Sequence, residues 1–145
     1  MDTILEIAKK VRIASEIFAL SSESKSLDFH GREDLGCMCA TASFALYTEL
    51  KKNGYDCVFV SGRFKDWCDH CWVEIDGMIV DITATQFSGI EDDVLVVPSN
   101  DDRYKPYSSR SRRKNMGNLS NMQKSGWPKE QAPSWRKVKK YFVND

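Results

Sequence analysis

With 145 residues, 21 Lys/Arg, 21 Asp/Glu and no net formal charge, the chain fits one domain (residues 1–145) that buries a core without disulfides or metals, and is too short for a multidomain enzyme. No apolar run reaches membrane-spanning length, and the acidic, charge-broken start Met1–Lys10 lacks the form of an export signal, so the five cysteines read as thiols of a reducing, cytoplasmic setting. Charge is divided unevenly, residues 1–102 holding 9 Lys/Arg against 19 Asp/Glu and residues 103–145 holding 12 against 2. The simplest reading is a basic segment packed across an acidic body; the other is an acidic partner contacting residues 103–118.

Taken in order, residues 1–20 place Ile4, Leu5, Ala8, Val11, Ile13, Ala14, Phe18 and Leu20 at helical spacing, with Lys9, Lys10, Arg12 and Glu16 between them. This predicts an amphipathic helix. Ser21–Ser26 is a polar connector, and Leu27–Leu35 reads as a loop in which His30 is a solvated side chain. From Gly36 to Gly54 runs the strongest helical pattern, opened by a permissive glycine and closed by Lys51-Lys52-Asn53-Gly54. Cys39, Ala42, Ser43, Leu46 and Leu50 share its inward face, which puts Cys39 in the first turn. There the positive end of the helix dipole stabilises a thiolate, and the same N–H groups can hold an oxyanion. A strand over Tyr55–Gly62 follows, with Cys57 in the core, and then a charged loop, Arg63–Asp69.

Residues His70–Thr83 read as one β-hairpin turning at Asp76-Gly77, the dipeptide favoured by a two-residue turn with positive φ at both central positions. Counting outward pairs Ile75 with Met78, Glu74 with Ile79, Val73 with Val80, Trp72 with Asp81, Cys71 with Ile82 and His70 with Thr83. Alternation puts Cys71, Val73, Ile75, Met78, Val80 and Ile82 on a wholly apolar face. His70, Trp72, Glu74, Ile79, Asp81 and Thr83 take the other. His70 and Asp81 are diagonal neighbours there, within reach of a side-chain hydrogen bond. A histidine oriented by a carboxylate is the base half of a catalytic triad.

Beyond the hairpin, Ala84–Gly89 leaves the sheet and Val94–Pro98 reads as a short strand. Residues 36–98 thus form the core. Tyr104–Lys124, rich in Ser, Asn, Arg and Lys, reads as a long loop, and Trp135, Val138, Tyr141 and Phe142 mark a short helix that docks onto the body.

Over residues 36–87 the sequence resembles a minimal, bacterial or phage-type transglutaminase-like member of the papain-like cysteine enzymes. The likeness rests on Gly36-Cys-Met-Cys39 opening a Gly-ended helix, on Val58–Gly62, and on His70-Cys-Trp-Val-Glu74 and Asp81-Ile-Thr83, which are similar to that family's His-Ala-Trp-Val-Glu and Asp-Pro-Thr segments. It implies an α+β fold with a papain-like core, the nucleophile helix packed on an antiparallel sheet. It also implies Cys39 as nucleophile, His70 as base and Asp81 as orienter, without a cofactor. Cys37 competes with Cys39, whose helix face and distance to Gly54 and Gly62 fit better.

The expected activity is acyl transfer through a thioester on a peptide, isopeptide or glutamine amide, with water or an amine as acceptor. Trp72, Gln86 and Gly36 are candidates for substrate or oxyanion binding. Trp72 serves core packing equally well, and Gln86 can instead anchor a turn. Two other readings compete. One is a structural zinc module on Cys37, Cys39, Cys68, His70 and Cys71, although adjacent His70 and Cys71 point to opposite strand faces. The other is a non-catalytic binding protein that uses Arg110–Lys114.

Overall fold

The computed structural model describes residues 2–21, 39–64, 68–87, 89–113 and 134–142. Helix α1, Asp2–Ala19, buries Ile4, Ala8, Val11, Ala14 and Phe18 as the sequence predicts, and Ile7 with them, whereas Ile13 and Leu20, expected among the apolar set, are exposed. Arg12 departs from the amphipathic reading, being only 3% exposed. Its guanidinium donates to the Ile82 carbonyl at 2.8 Å, to Thr85 Oγ1 at 2.7 Å and to Glu16 Oε1 at 2.6 Å. The cation is buried because it clamps the chain that leaves the hairpin. Helix α2, Cys39–Lys52, ends as expected on a left-handed Gly54 (φ 87°). Ala42, Ser43, Leu46 and Leu50 are buried along its inward face, and Cys39 is half-buried at its first residue.

Five strands follow: β1, Val58–Phe64; β2, Cys68–Ile75; β3, Met78–Asp81; β4, Leu95–Pro98; and β5, Tyr107–Arg113. They form one antiparallel sheet in the order β4-β3-β2-β1-β5. The Asp76-Gly77 turn has φ 51° and 75°, and Val73, Glu74 and Ile75 pair with Val80, Ile79 and Met78 in the expected register. Past Val73 and Val80 the expected pairs of Trp72, Cys71 and His70 do not form. Chain polar groups there have other partners, since the Ile82 carbonyl goes to Arg12 and the Thr83 N–H to the Asp81 carboxylate.

Both faces of the sheet are covered. Cys71, Val73, Ile75, Val80 and Ile82 pack beneath α1 and α2, with Val138 of the short helix α3, Ser134–Val138. Trp72, Ile79, Val60, Leu95, Val97, Tyr104 and Tyr107 make a second apolar cluster on the opposite face. The architecture is therefore α+β, with the helices on one face. Among the described residues no helix is long and apolar enough to cross a membrane.

Two expectations are corrected. The strand expected over Tyr55–Gly62 starts at Val58 and continues to Phe64, so Gly62 lies inside it, and the loop expected over Arg63–Asp69 is narrowed by β1 and β2. The long loop expected from Tyr104 is, up to Arg113, the end of a 310 turn (Asp102–Tyr104) and the edge strand β5. A polar strand suits a sheet edge, because its ladder is built from main chain and needs no alternation of apolar side chains. Arg112 pairs with the buried Glu74, and the Arg110 guanidinium lies 5.6 Å over the Trp72 ring. Basic residues of this segment thus do pack on the body, while 114–133 and the loop holding His30 lie outside the described residues.

Gly62 is needed because a Cβ there would stand 2.9 Å from Tyr107 Cβ and 3.2 Å from Trp72 Cη2. Gly62→Val should therefore cost about 1–3 kcal/mol by overpacking, seen as a lower urea midpoint; an unchanged midpoint would contradict this account of the glycine.

Candidate active site

Asp81, the last residue of β3, is fully buried, so its charge survives only if every lone pair finds a donor. The backbone N–H of Thr83 donates to Oδ1 at 2.9 Å and the Thr83 hydroxyl at 3.3 Å. Tyr104 Oη donates to Oδ2 at 2.6 Å, and His70 Nε2 lies 2.6 Å from that same oxygen. Burial pushes the carboxyl up, but the His70 charge and hydrogen bond, with Tyr104 and Thr83, hold it below its ordinary range. Tyr104 is pushed up in turn, by burial and by the adjacent carboxylate.

The first residues of β2 deliver His70 to this carboxylate, fully buried among aromatic rings. Phe87 meets it edge-on at 4.8 Å, and Trp72 and Tyr107 lie at 5.7 Å. Burial opposes the imidazolium, yet the charge and hydrogen bond of Asp81, followed by those of Cys39, raise His70 to about 10. With Nε2 on Asp81, Nδ1 is the working nitrogen, and Gln86 Nε2 lies 3.1 Å from it.

Cys39 closes the chain of groups. A hydrogen bond from the Cys71 side chain is the largest influence holding this thiol well below its ordinary value; burial opposes it, and the hydrogen bond and charge of His70 reinforce it. The Cys71 backbone adds a further hydrogen bond, and its carbonyl accepts from Ser43 Oγ at 3.0 Å. Where β3 leaves the ladder, the main chain of Cys71 is taken over by two residues one turn apart on α2. This contact fixes Cys39 against His70.

Cys39, His70, Asp81 and Gln86 are thus brought together, the last from a 310 turn over Ala84–Gln86. Trp72 is fully buried as the wall behind His70, among Tyr104, Tyr107 and Arg110, and so sits in the packing position. Gly36 and Cys37 lie outside the described residues, and only the backbone of Cys68 is described. Among the described residues no three His, Cys, Asp or Glu side chains gather as metal ligands. A cavity of about 160 Å³ opens beside His70, lined also by Phe87, Ile90, Arg103, Tyr104 and Tyr107.

Sequence reasoning missed Tyr104 and the part played by Cys71. Tyr104 begins a stretch whose polar composition hides it, and Cys71 reads by alternation as one more core residue.

The depressed Cys39 thiol gives a pH test. Because the thiolate is the reactive form, Cys39 should keep reacting with iodoacetamide as pH falls below the roughly 8.5 of a free thiol. Cys57, fully buried and pushed up to about 11 by that burial, should stay unreactive there. His70→Ala should move the Cys39 profile toward higher pH, and an unmoved profile would deny the coupling. Comparison of the chain with known protein families, with curated proteins and with solved structures finds no match.

Proposed function

We propose that the protein is a thiol-dependent acyl-transfer enzyme of transglutaminase-like type, acting on a peptide, isopeptide or glutamine side-chain amide. The observation that carries this reading is the continuous hydrogen-bonded series Cys39, His70, Asp81, with its cysteine half-buried at a helix start and its acid fully buried. Burying ionised groups is costly to arrange, and titratable groups shifted by such burial and by one another cluster at sites of chemistry.

With the thiol lowered and the imidazole raised, the resting pair at neutral pH is thiolate and imidazolium. The Cys39 sulfur attacks the amide carbonyl carbon, and the oxygen takes up the displaced electron pair. N–H groups of the first turn of α2 face that oxygen, with the Gln86 amide beside them. As the C–N bond breaks, His70 Nδ1 gives its proton to the leaving nitrogen, which yields a thioester and a neutral imidazole. Water or an amine then attacks the thioester and passes its proton to Nδ1. The C–S bond breaks, and thiolate and imidazolium are restored. Asp81 holds Nε2–H throughout, which leaves Nδ1 to the Cys39 sulfur, while the Gln86 amide beside Nδ1 turns its oxygen to the protonated ring. The zinc reading is less well supported, because His70 has one nitrogen on Asp81 and the other facing Gln86.

An activated acyl ester tests the reaction without knowledge of the substrate. p-Nitrophenyl acetate should give a burst of about one equivalent of nitrophenolate with an acetyl group on Cys39. Cys39→Ala should abolish the burst, and His70→Ala should slow it by about 10²–10⁴. Acetylation spread over several cysteines, unchanged in His70→Ala, would sink the proposal.

A further inference from the structure

The mechanism uses the Cys71 thiol only as a hydrogen-bond donor, yet that side chain is itself oxidisable. We propose that Cys39 and Cys71 are a redox modification site, closing to a reversible disulfide when the protein meets a hydroperoxide.

Placement carries the argument. Both side chains are thiols, and a hydrogen bond links that of Cys71 to Cys39. They approach from different elements, α2 and β2, whose spacing is fixed one turn on by the 3.0 Å bond from Ser43 to the Cys71 carbonyl. Closing to the S–S length of about 2.05 Å replaces the hydrogen bond between the two thiols by a covalent bond between the same two side chains. Exposure divides the roles. Cys39, half-buried at the helix start, is the more open of the two and meets the oxidant first, whereas Cys71 is only 6% exposed and is reached through Cys39. A reactive, accessible thiolate beside a second thiol is the arrangement that turns oxidation into a disulfide.

The steps balance. The Cys39 thiolate attacks the outer oxygen of the hydroperoxide and the O–O bond breaks. The departing alkoxide takes the His70 proton to leave as an alcohol, and Cys39 becomes a sulfenic acid. Cys71 sulfur then attacks Cys39 sulfur, the S–O bond breaks, and hydroxide leaves with the Cys71 proton as water. Two thiols have lost two electrons to one hydroperoxide. A thiol reductant reverses the change by exchange. In the disulfide state Cys39 has no thiolate, so the centre is shut without being destroyed.

The test is independent of any substrate. Full-length protein is titrated with hydrogen peroxide, and its cysteines are mapped by mass spectrometry before and after dithiothreitol. Wild type should show a Cys39–Cys71 linked peptide, and reduction should restore iodoacetamide labelling of Cys39 to its starting level. Cys71→Ala and Cys71→Ser, checked for an unchanged thermal transition, should instead carry Cys39 on to sulfinic and sulfonic acids, with most labelling lost after reduction. Buried Cys57 serves as the unreacted control. Linkage of Cys39 to Cys37 or Cys68, or the same irreversible loss in wild type and both variants, would overturn the proposal. If Cys39 acylation by esters fails while the linked peptide forms, the redox site stands and the enzymatic reading falls.

Discussion

The buried Asp81 carboxylate is the constraint on which the rest of the structure depends. A lone carboxylate taken out of water carries a penalty of several kcal/mol, so its four hydrogen-bonding groups are required rather than incidental. Three segments meet to supply them: the start of β2 through His70, the turn after β3 through Thr83, and the 310 turn before β5 through Tyr104. Arg12 of α1 fixes the same turn from behind by holding the Ile82 carbonyl and the Thr85 hydroxyl. One charge therefore ties together elements far apart in sequence, and it orients the imidazole that faces Cys39.

How charge is placed along the chain follows from the same requirement. The acidic body is not neutralised evenly. Arg12 and Arg112 reach buried or half-buried acceptors, whereas exposed Arg103 pairs with half-buried Asp101 and exposed Lys105 with exposed Asp102 at the protein surface. Exposed pairs of that kind contribute little. The buried ones decide where β5 and α1 sit, because an unmet partner inside the protein is costly. Edge strand β5 thus owes its place to main-chain pairing, to Tyr107 against Trp72 at 5.4 Å and to Arg112 on Glu74.

Much of the site was legible in the sequence because it depends on local rules. Asp76-Gly77 fixed a turn, the turn fixed a register, and the register put His70 and Asp81 on one face. Gly54 and the spacing of Ala42, Ser43, Leu46 and Leu50 likewise placed Cys39 in the first turn of α2. What escaped is non-local. Arg12 looks solvated until the Ile82 carbonyl that it satisfies is known. Tyr104 and β5 carry no periodic signal, since their burial is decided by Trp72 and Gly62 across the sheet. Cys71 sits on the apolar face as alternation requires, but its main chain turns to α2 only because β3 stops pairing beside it.

The central claim is that a thiolate–imidazolium pair, held by Asp81, rests in the folded protein. Nitrogen-15 NMR of the His70 ring across a pH titration tests it most directly, because it reads both ring nitrogens without a substrate. His70 should remain doubly protonated through neutral pH and lose its proton only near 10. In Cys39→Ser and Asp81→Asn the transition should move down toward the ordinary histidine value of about 6.5. A His70 that titrates near that value in wild type, or that is unaffected by both substitutions, would contradict the account.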